Sequence, residues 1–497
     1  MPGFYVQNFG CRATQADGAA IERQFEERGL ERAGTIANAG IIVLNTCTVT
    51  ASADQDARAA IRRVHRENPS AQIVVTGCYA QRSPEELASL PGVAQVIGNS
   101  HKHQLAEIAL SQDFPPNGSF VPVSSLTEHR ELGTALFVSD IFAHTELLAA
   151  PVFDAPNERT RPNLKVQDGC NNRCSFCVIP YVRGQSRSMR LDQVLREVHS
   201  LVAAGYRELV ISGINLGRWG RDLEAGLSSQ VSGVRVAPHH IGSNSESEGF
   251  SQRPTTNNQG LDFPSLIRAI LDHTDLEKLR ISSVEPMDWT DELIRLVADS
   301  PRIAKHAHVP MQSGSDAVLR RMHRKYRPWH YREKFLKIRE AMPTAAIGAD
   351  VMVGFPGESD AEFDETLGMI EDLPFTYLHV FTYSARPGTP AAETPRRVPV
   401  QIARERNRRL RELGEEKKLA FMRSFLGQTV EAITLAGRSE LSVPDSLVRQ
   451  GVEHVVTEAL ADNYLKVRLP GRHHPNRWVR ARVSTVAEGA MIAQLSD

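Results

Sequence analysis

Residues 167–180 read QDGCNNRCSFCVIP, in which Cys170, Cys174 and Cys177 have the spacing C-x3-C-x2-C. Three thiolates this close along the chain can hold three irons of a four-iron four-sulfur cluster and leave the fourth iron without a protein ligand. The open iron is then free to bind a reagent. The run therefore predicts an iron–sulfur site with chemistry of its own.

Other uses of three cysteines fit the run less well. A structural zinc site usually takes four protein ligands from C-x2-C pairs, and no fourth cysteine or nearby histidine follows at the right spacing. Disulfides would leave one thiol over, and nothing in the sequence indicates an oxidising compartment. The iron–sulfur interpretation is therefore preferred.

The chain has 497 residues and a formal net charge of −1, which predicts two or three domains and no whole-chain attraction to nucleic acid. Any such attraction must come from local patches. The first residues lack the basic and apolar regions of a signal peptide. No stretch approaches the roughly eighteen apolar residues of a membrane span. We therefore expect a cytoplasmic protein with no membrane association.

Short β-rich runs alternate with amphipathic helical patterns in residues 1–112, which we predict to be one domain. This alternation indicates parallel strands with helical crossovers, and thus a small doubly wound sheet in an α/β fold. Strands are predicted at 5–8, 41–45, 72–76 and 94–97. Helices are predicted at 18–28, 54–66, 84–90 and 102–110.

The other three cysteines each come just after one of the first three strands of this domain, as Cys11, Cys47 and Cys78. In a parallel sheet these strand ends share one edge, where such folds place ligands. The three thiols are therefore expected to converge and to hold a second cluster. Three separate half-buried cysteines are the alternative, since free cysteine is often buried.

The run at 167–180 closely resembles the cluster loop of radical S-adenosylmethionine (SAM) enzymes. In that superfamily the open iron binds SAM and reduces its sulfonium, which releases a 5′-deoxyadenosyl radical. The resemblance implies SAM as a cofactor and catalytic roles for Cys170, Cys174 and Cys177. It also places Phe176, just before the third cysteine, beside the adenine of SAM, although a loop aromatic that plugs the barrel mouth would look the same.

Three more segments extend the resemblance to the methylthiotransferase family, which inserts sulfur and a methyl group into a C–H bond: NTCTVT at 45–50, VTGCYAQ at 75–81 and RGQSRS at 183–188. Within it, RISSVEP at 280–286 looks most like the branch that acts on N6-threonylcarbamoyladenosine next to the tRNA anticodon. The resemblance covers nearly the whole chain. It departs at Thr14, where the family commonly has Asn, which leaves the hydrogen bonding near Cys11 open.

Residues 113–160 are predicted to be a linker, and strands alternate with helices again over 161–395. Six strands are fewer than an eightfold barrel requires, which favours the partial (βα)6 barrel of the radical SAM superfamily. A polar stretch at 224–259 is predicted to be a disordered insertion. The six strands are predicted at 164–167, 208–212, 278–281, 306–309, 347–353 and 377–381.

Polar residues and glycines follow several of these strands, at the end where such barrels place their sites. Each taken alone is also compatible with ordinary turn chemistry. The resemblance implies that together they line the SAM pocket. The residues so assigned, besides Phe176, are Gly213, Asn215, Ser283, Glu285, Gln312 and Asp350.

The C-terminal part of the chain contains the features that predict RNA binding. Residues 396–426 are predicted to be a basic helix, with ten Arg or Lys against four Glu over 396–425. Residues 427–497 resemble a small TRAM-like β-barrel that binds RNA, with Tyr464 and Trp478 predicted beside its cationic face. An ordinary polar outer face is the alternative. The predicted RNA-binding residues are Lys466, Arg468, Arg477, Arg480 and Arg482.

Together these features predict a tRNA methylthiotransferase with two four-iron clusters, in which the Cys170 set generates the radical and the Cys11 set delivers sulfur. Its partners would be tRNA and a flavodoxin- or ferredoxin-type reductant. Methylthiolation of isopentenyladenosine in tRNA, or of a ribosomal-protein aspartate, stays open because those branches share the cysteine sets. An iron–sulfur electron carrier or sensor with an RNA-binding tail is a further alternative, although it would not need the barrel.

Overall fold

The computed structural model describes residues 3–111, 134–144, 147, 161–223, 261–436 and 456–496. The predicted insertion at 224–259 and most of the predicted linker at 113–160 lie outside the described residues.

The first domain is a five-stranded parallel sheet with its strands in sequence order. Ile41 and Val43 join one apolar core and Ile42 and Leu44 the other, because successive side chains of a strand point to opposite faces. Helices pack on both faces, in agreement with the predicted α/β sheet. The strands are β1 Gly3–Asn8, β2 Ala39–Thr46, β3 Gln72–Gly77, β4 Val93–Ile97 and β5 Ala135–Phe137. The helices are α1 Arg12–Glu26, α2 Ala51–Glu67, α3 Cys78–Arg82, α4 Pro84–Ala88 and α5 Leu105–Leu110.

Two features of this domain differ from the prediction. Helix α1 begins at Arg12, well before residue 18, and Gly18 lies inside it. A Cβ at Gly18 would lie 2.0 Å from Asn8 Oδ1, so this glycine allows close packing on β1. The short strand β5 pairs with β4 inside the segment predicted to be a linker. Three residues are too few for the alternation that identifies a strand from sequence.

The second domain contains the six predicted parallel strands, with one short antiparallel strand at its edge. Bridges at Leu279–Ile303 and Ser283–His308 join its two sheets, so the barrel is open, as predicted. The strands are β6 Asn163–Asp168, β7 Arg187–Ser188, β8 Glu208–Gly213, β9 Lys278–Ile281, β10 His306–His308, β11 Ala346–Val353 and β12 Tyr377–Thr382. The helices are α6 Ile179–Arg183, α7 Leu191–Ala203, α8 Phe263–His273, α9 Asp291–Asp299, α10 Asp316–Arg321, α11 Pro328–Ala341 and α12 Asp360–Asp372.

The strands of the open barrel have an apolar outer face and a polar inner face. Leu164 and Val166 of β6 enter the large apolar core beneath the helices. The alternate residues Lys165 and Gln167 are buried on the other side. The barrel therefore encloses a polar lumen.

The third part is helix α13 Val400–Arg423 followed by a closed five-stranded barrel, in agreement with the predicted basic helix and small β-barrel. The strands of the small barrel follow the order β13-β14-β15-β17-β16. They are β13 Thr429–Thr434, β14 Val456–Ala461, β15 Lys466–Pro470, β16 Trp478–Ala487 and β17 Ala490–Leu495. Across the described ranges, every helix is too short or too polar to cross a membrane.

Candidate active site at the domain junction

The cysteine loop leaves strand β6 through Gly169, whose φ of +69° favours glycine. A Cβ at that position would lie 1.9 Å from the Gln185 carbonyl oxygen, so the chain closes tightly at the base of the loop. Cys177 N donates to Cys174 O at 3.1 Å. With Cys170, these cysteines line a cavity of about 580 Å³.

Several N–H groups point at the sulfurs of this loop. Cys170 Sγ accepts from Asn172 N at 3.4 Å and from Asn215 Nδ2 at 3.7 Å. Cys174 Sγ accepts from Arg324 Nη1 at 3.3 Å. Hydrogen bonds to sulfur are one of the means by which a protein sets the reduction potential of an iron–sulfur cluster. The loop therefore provides the polar surroundings that such a cluster requires.

Two of these thiols resist ionisation in the protein alone. Burial raises the pKa of Cys170; the Asn172 N–H opposes this rise, and the Cys174 thiol and Glu285 add to it. Burial and the neighbouring Cys174 and Cys170 thiols raise the pKa of Cys177 to about 12. A bound metal reverses this preference because coordination deprotonates a thiol. Three sulfurs on a cavity of about 580 Å³ thus fit a cubane cluster with one open corner.

The second cysteine set meets at one edge of the first sheet. Cys11 precedes α1, Cys47 follows β2, and Cys78 begins α3 directly after β3. Gly10 has a φ of +102°, and a Cβ there would lie 2.9 Å from Cys47 Sγ. Burial and then the Cys78 and Cys11 thiols raise the pKa of Cys47 to about 12. The three thiols therefore lie within electrostatic range of one another, as the strand order predicts.

Two polar residues, Thr14 and Asn99, contact sulfurs of this second set. Thr14 Oγ1 lies 3.6 Å from Cys11 Sγ, so the threonine that replaces the common asparagine also contacts this sulfur. Asn99 Nδ2 lies 3.7 Å from Cys78 Sγ and donates to Val182 O at 2.7 Å. Asn99 was not identified from sequence, because it follows a fourth strand that carries no cysteine.

One cysteine of the first domain packs against the segment that follows the other cysteine set, across the domain boundary. Cys78 forms a small buried cluster with Val178 and Val182 of the second domain. Val178 directly follows Cys177, the last cysteine of the first set. Because Asn99 also bridges Cys78 to Val182, the contact is both apolar and hydrogen-bonded. The cysteine edge of the first domain therefore covers the loop that carries the other set.

A buried network of five charges holds this boundary together. Asp17 of α1 lies 3.1 Å from Lys102 Nζ and 3.0 Å from Arg183 Nη2, and it also pairs with Lys165 of β6. Asp168 accepts from Lys165 Nζ at 2.8 Å and from Arg183 Nη1 at 3.0 Å. Burial would raise the pKa of Asp17, but the three cations outweigh it and hold that pKa well below its usual range. Both carboxylates therefore stay charged.

A second polar contact closes the opposite side of the boundary. Asp54 of α2 accepts from Arg386 Nη1 at 2.6 Å and from Arg82 Nη2 at 3.0 Å. Arg386 also donates to the Thr48 carbonyl oxygen at 3.2 Å, next to Cys47. The loop after β12 thus reaches the loop after β2. The first domain is held over the barrel at both sides of its mouth.

The residues predicted for the SAM pocket fall into two groups, of which the first surrounds Gln167. Asn215 N donates to Gln167 Oε1 at 2.7 Å, and a Cβ at Gly213 would lie 2.9 Å from the same oxygen. The Oδ1 atom of Asn215 is buried without a partner among the described residues. Phe176 packs edge to face on Phe355, with ring centroids 6.5 Å apart. This group lies beside Cys170, through Asn215.

The second group lies on β9 to β11. Glu285 pairs with Arg324, and Ser283 forms a bridge with His308. Gln312 has a φ of 63°, an uncommon conformation for a residue other than glycine that often marks functional sites. Its backbone N donates to Asp350 O at 2.8 Å. Glu285 therefore lies near the cysteine loop through Arg324, whereas Gln312 and Asp350 are joined to each other through their backbones.

Asp350 also belongs to a row of rings that runs along the lumen. Its Oδ1 lies 3.3 Å from His308 Nε2 and 3.3 Å from His379 Nδ1. Burial would raise the pKa of Asp350, but the two imidazoles outweigh it and hold that pKa well below its usual range. The His379 ring lies 5.2 Å from that of Tyr377, which lies 6.4 Å from the ring of Tyr464. The lumen therefore joins the barrel mouth to the C-terminal domain.

The five basic residues predicted to bind RNA differ in exposure and charge pairing. Basic side chains alternate with buried residues along β15 and β16, as predicted, and β17 lies between these strands. Arg468 is half-buried and pairs with Glu488 at 2.9 Å, so its charge is compensated. The other predicted residues are exposed, namely Lys466, Arg477, Arg480 and Arg482.

The prediction that two aromatic residues lie beside this surface was wrong. Tyr464 points into the domain junction, where its hydroxyl accepts from Arg12 Nη2 at 3.1 Å. Trp478 packs under Lys278 of β9, whose Nζ lies 5.1 Å from the ring centroid. Both side chains dock the small barrel onto the rest of the protein, because large aromatic rings bury much apolar area at an interface.

Some basic side chains of helix α13 form ion pairs and hydrogen bonds within the protein. Arg406 is buried and pairs with Glu358 and Asp360, both at 2.6 Å. Lys417 Nζ donates to the carbonyl oxygens of Glu371 and Leu373 at 2.9 and 3.0 Å. The predicted excess of positive charge on this helix is therefore not all available to a ligand.

Arg324 is the most important site residue that sequence reasoning missed. It lies in the run RMHRKYR at 321–327, where several basic residues look equivalent. Its contact with Cys174 joins positions 150 residues apart, which no local pattern reveals. Asp17, Lys165 and Arg183 were missed for the same reason.

Two stretches of the chain match described families. Residues 3–98 match Uncharacterized protein family UPF0004. Residues 164–370 match the Radical SAM superfamily. The first range contains Cys11, Cys47 and Cys78, and the second contains the loop of Cys170.

Relatives resemble the chain over most of its length. The threonylcarbamoyladenosine tRNA methylthiotransferase MtaB of Bacillus subtilis is 34% identical over 93% of this chain and 89% of its own. The protein of the same name from Aquifex aeolicus is 34% identical over 86% of this chain and 92% of its own. A tRNA-2-methylthio-N(6)-dimethylallyladenosine synthase of Acidothermus cellulolyticus is 31% identical over 87% of this chain and 78% of its own.

A solved structure supports the fold independently. The radical S-adenosylmethionine methyltransferase TsrM from Kitasatospora setae, with a tryptophan substrate and a SAM analog bound, superposes with a TM-score of 0.51. The match covers 78% of this chain and 74% of that one at 15% identity. At this identity the likeness concerns the arrangement of the domains' strands and helices alone.

Proposed function

This chain belongs to the radical SAM methylthiotransferases, and on that basis we propose that it converts N6-threonylcarbamoyladenosine, next to the anticodon of tRNA, to its 2-methylthio derivative. The reaction replaces the hydrogen on carbon 2 of the adenine by a methylthio group. Support for this substrate comes from relatives named for it, two of them at 34% identity, compared with 31% for a relative named for a dimethylallyl substrate.

The two cysteine sets have different roles. Cys170, Cys174 and Cys177 hold the four-iron cluster that binds SAM, and the Cys11 set holds a second four-iron cluster. When bound, these groups supply a 5′-deoxyadenosyl radical at the first site and a methylated sulfur at the second. The chain itself must bring both to one carbon atom and keep water away.

The contact of Cys78 with Val178 is the observation that carries this proposal. It brings the second set against the residue that follows Cys177, so one substrate can reach both sites. The ion pairs of Asp17 and Asp54 hold the first domain over the barrel mouth on both sides. By covering the barrel mouth, the first domain keeps a reactive radical from solvent, a known function of closed active sites.

The polar residues around the loop have distinct roles. Arg324 places a positive charge at Cys174 Sγ and pairs with Glu285, which orients both. Asn215 orients Cys170, and its buried Oδ1, which has no partner among the described residues, is available as an acceptor for the amino group of SAM. Phe176, Gly213, Ser283, Gln312 and Asp350 complete the pocket.

The substrate arrives as tRNA, and Lys466, Arg477, Arg480 and Arg482 are the exposed cations that contact its phosphates. Arg468 contributes less because Glu488 compensates its charge. Electrons come from a flavodoxin- or ferredoxin-type protein, and the setting is the cytoplasm, where thiols stay reduced.

Mass spectrometry of tRNA nucleosides tests this function. A strain that lacks the chain should lose 2-methylthio-N6-threonylcarbamoyladenosine and accumulate its precursor. The wild-type chain should restore the product, and the variant Cys174→Ala should not. An unchanged level of the product would exclude the proposed substrate, and loss of the isopentenyl derivative instead would select the other tRNA branch.

Iron analysis tests the second cluster separately. Anaerobically reconstituted protein should bind about eight irons per chain, as two four-iron clusters require. The triple variant of Cys11, Cys47 and Cys78 to Ala should retain about four. A wild-type value of about four would remove the second cluster.

A further inference from the structure

Three arginines from two domains converge on one ring where all three domains meet. Arg12 of α1, Arg161 before β6 and Arg280 of β9 have guanidinium carbons 6.0, 5.9 and 5.4 Å from the centroid of the Tyr464 ring. Arg12 Nη2 also donates to the Tyr464 hydroxyl at 3.1 Å. We call Arg12, Arg161, Arg280 and Tyr464 the arginine cluster.

The arginine cluster has more positive charge than its surroundings balance. Among the described residues Glu208 is its one carboxylate partner, 2.6 Å from Arg280 Nε and 3.6 Å from Arg161 Nη1. Burial lowers the pKa of Arg161; Glu208 opposes this, and the charges of Arg280 and Arg12 add to it. Three cations therefore face one anion; Arg12 and Arg161 are half-buried, and removing a cation from water without a partner is costly.

The excess charge belongs to Arg12 and Arg161. Arg280 donates to Glu208 and to the carbonyl oxygens of Asp462 and Ala461, at 3.0 and 3.4 Å, so its donors are occupied. Arg161 has a single long contact with a carboxylate. Within the described ranges, Arg12 has none, and most of its N–H groups remain available. These two side chains can accept an anion that is not part of the protein.

The arginine cluster adjoins the second cysteine set on one side and the row of rings in the lumen on the other. Arg12 directly follows Cys11. On the other side, the Tyr464 ring lies 6.4 Å from Tyr377, where the row of rings leads through His379 to Asp350. Because Arg12 adjoins Cys11, a substrate that reaches the second cysteine set comes beside this cluster.

Resting on the function proposed above, we propose that Arg12 and Arg161 bind the carboxylate of the threonylcarbamoyl group and thereby select this substrate over an adenosine with a neutral N6 substituent. A guanidinium matches a carboxylate in both charge and geometry. A neutral dimethylallyl group would cover the two cations and leave them without a partner. Sites that lose a buried polar partner in this way discriminate strongly.

The test uses two anticodon stem-loop RNAs, one with N6-threonylcarbamoyladenosine and one with its methyl ester, which removes only the charge. For the reconstituted wild-type chain, kcat/KM for methylthio product should be at least about tenfold higher with the acid. Arg12→Met and Arg161→Met should lower the value for the acid by about tenfold to a hundredfold and leave the ester within about twofold. Arg62→Met, at an exposed position on α2, is the matched control and should change neither.

Iron content and 5′-deoxyadenosine formation without RNA show whether each variant is folded and loaded, which matters because Arg12 adjoins Cys11. Equal losses for acid and ester in the loaded variants would overturn the proposal and would indicate that the cluster binds an RNA phosphate. Equal rates of the wild type on acid and ester would also overturn it. If the wild type modifies neither RNA but converts one with isopentenyladenosine, the proposed function itself fails.

Discussion

Replacing Asp17 by Asn removes one charge from the network that holds the two cysteine sites together. Asp17 has a side-chain exposure of 2% and accepts from Lys102, Lys165 and Arg183. In the described part of the chain, the variant leaves Lys165 and Arg183 with Asp168 as their carboxylate partner and Lys102 with none. Breaking a buried ion pair by removing one partner costs about 3–5 kcal/mol. We expect that loss in the free energy of opening the domain junction.

Hydrogen exchange measures this opening directly, since it reports local unfolding free energies. Peptides from α1 and β6 should exchange roughly two to four orders of magnitude faster in Asp17→Asn. The matched control is Asp192→Asn, whose carboxylate is 51% exposed and pairs with Arg190 and Arg196. Its effect should stay below about 1 kcal/mol. Equal exchange in the two variants would refute the role of the buried network.

The charge of Asp17 also determines how the stability of the domain junction depends on pH. The pKa of Asp17 in the folded protein lies below its usual value of 3.8, because three cations outweigh burial. Its charge therefore stabilises the junction fully above that value and is lost as the pH falls towards the folded pKa. After correction for intrinsic rates, protection of α1 should be constant from pH 7 down to about 4.5 and fall only below about pH 4. A steady decline from pH 7 would contradict this.

Three further variants separate the parts of the site. Cys11→Ala should retain 5′-deoxyadenosine formation and lose methylthio product, because it removes a ligand of the second site only; loss of both would contradict the division of roles. Arg324→Met should bind four irons at the first site, but the reduction potential of that cluster should be lower in an EPR-monitored titration, because a positive charge 3.3 Å from Cys174 Sγ is removed. An unchanged potential would exclude a role of Arg324 in setting it. Changing Lys466, Arg480 and Arg482 together to Ala should weaken tRNA binding and leave SAM cleavage in the absence of RNA unchanged. The slope of the logarithm of the binding constant against the logarithm of salt concentration should fall by about one unit per residue. An unaltered slope would mean that the tRNA phosphates bind elsewhere.

The sequence is sufficient to predict those features that depend only on the order of the strands and helices. Cys11, Cys47 and Cys78 converge because parallel strands end at one edge, and six strands are too few to close a barrel. Contacts that depend on how the domains dock could not be predicted. Tyr464 is such a case, since strand periodicity places it beside a basic face but does not show that it turns into the junction. Arg324 is another, because its partner is set by the path of the chain around the barrel.

The buried charges at the junction also explain how the two sites keep their alignment. Asp17 lies on α1, which begins beside Cys11, and Lys165 and Asp168 lie on β6, which leads to Cys170. The network therefore ties together the two elements that carry cysteines of different sets. Apolar packing tolerates small shifts, whereas a shift of α1 by one turn would separate Asp17 from the three buried cations Lys102, Lys165 and Arg183. Charge pairing thus fixes the position of α1 against β6. A reaction that brings a radical and a sulfur to the same carbon requires this fixed position.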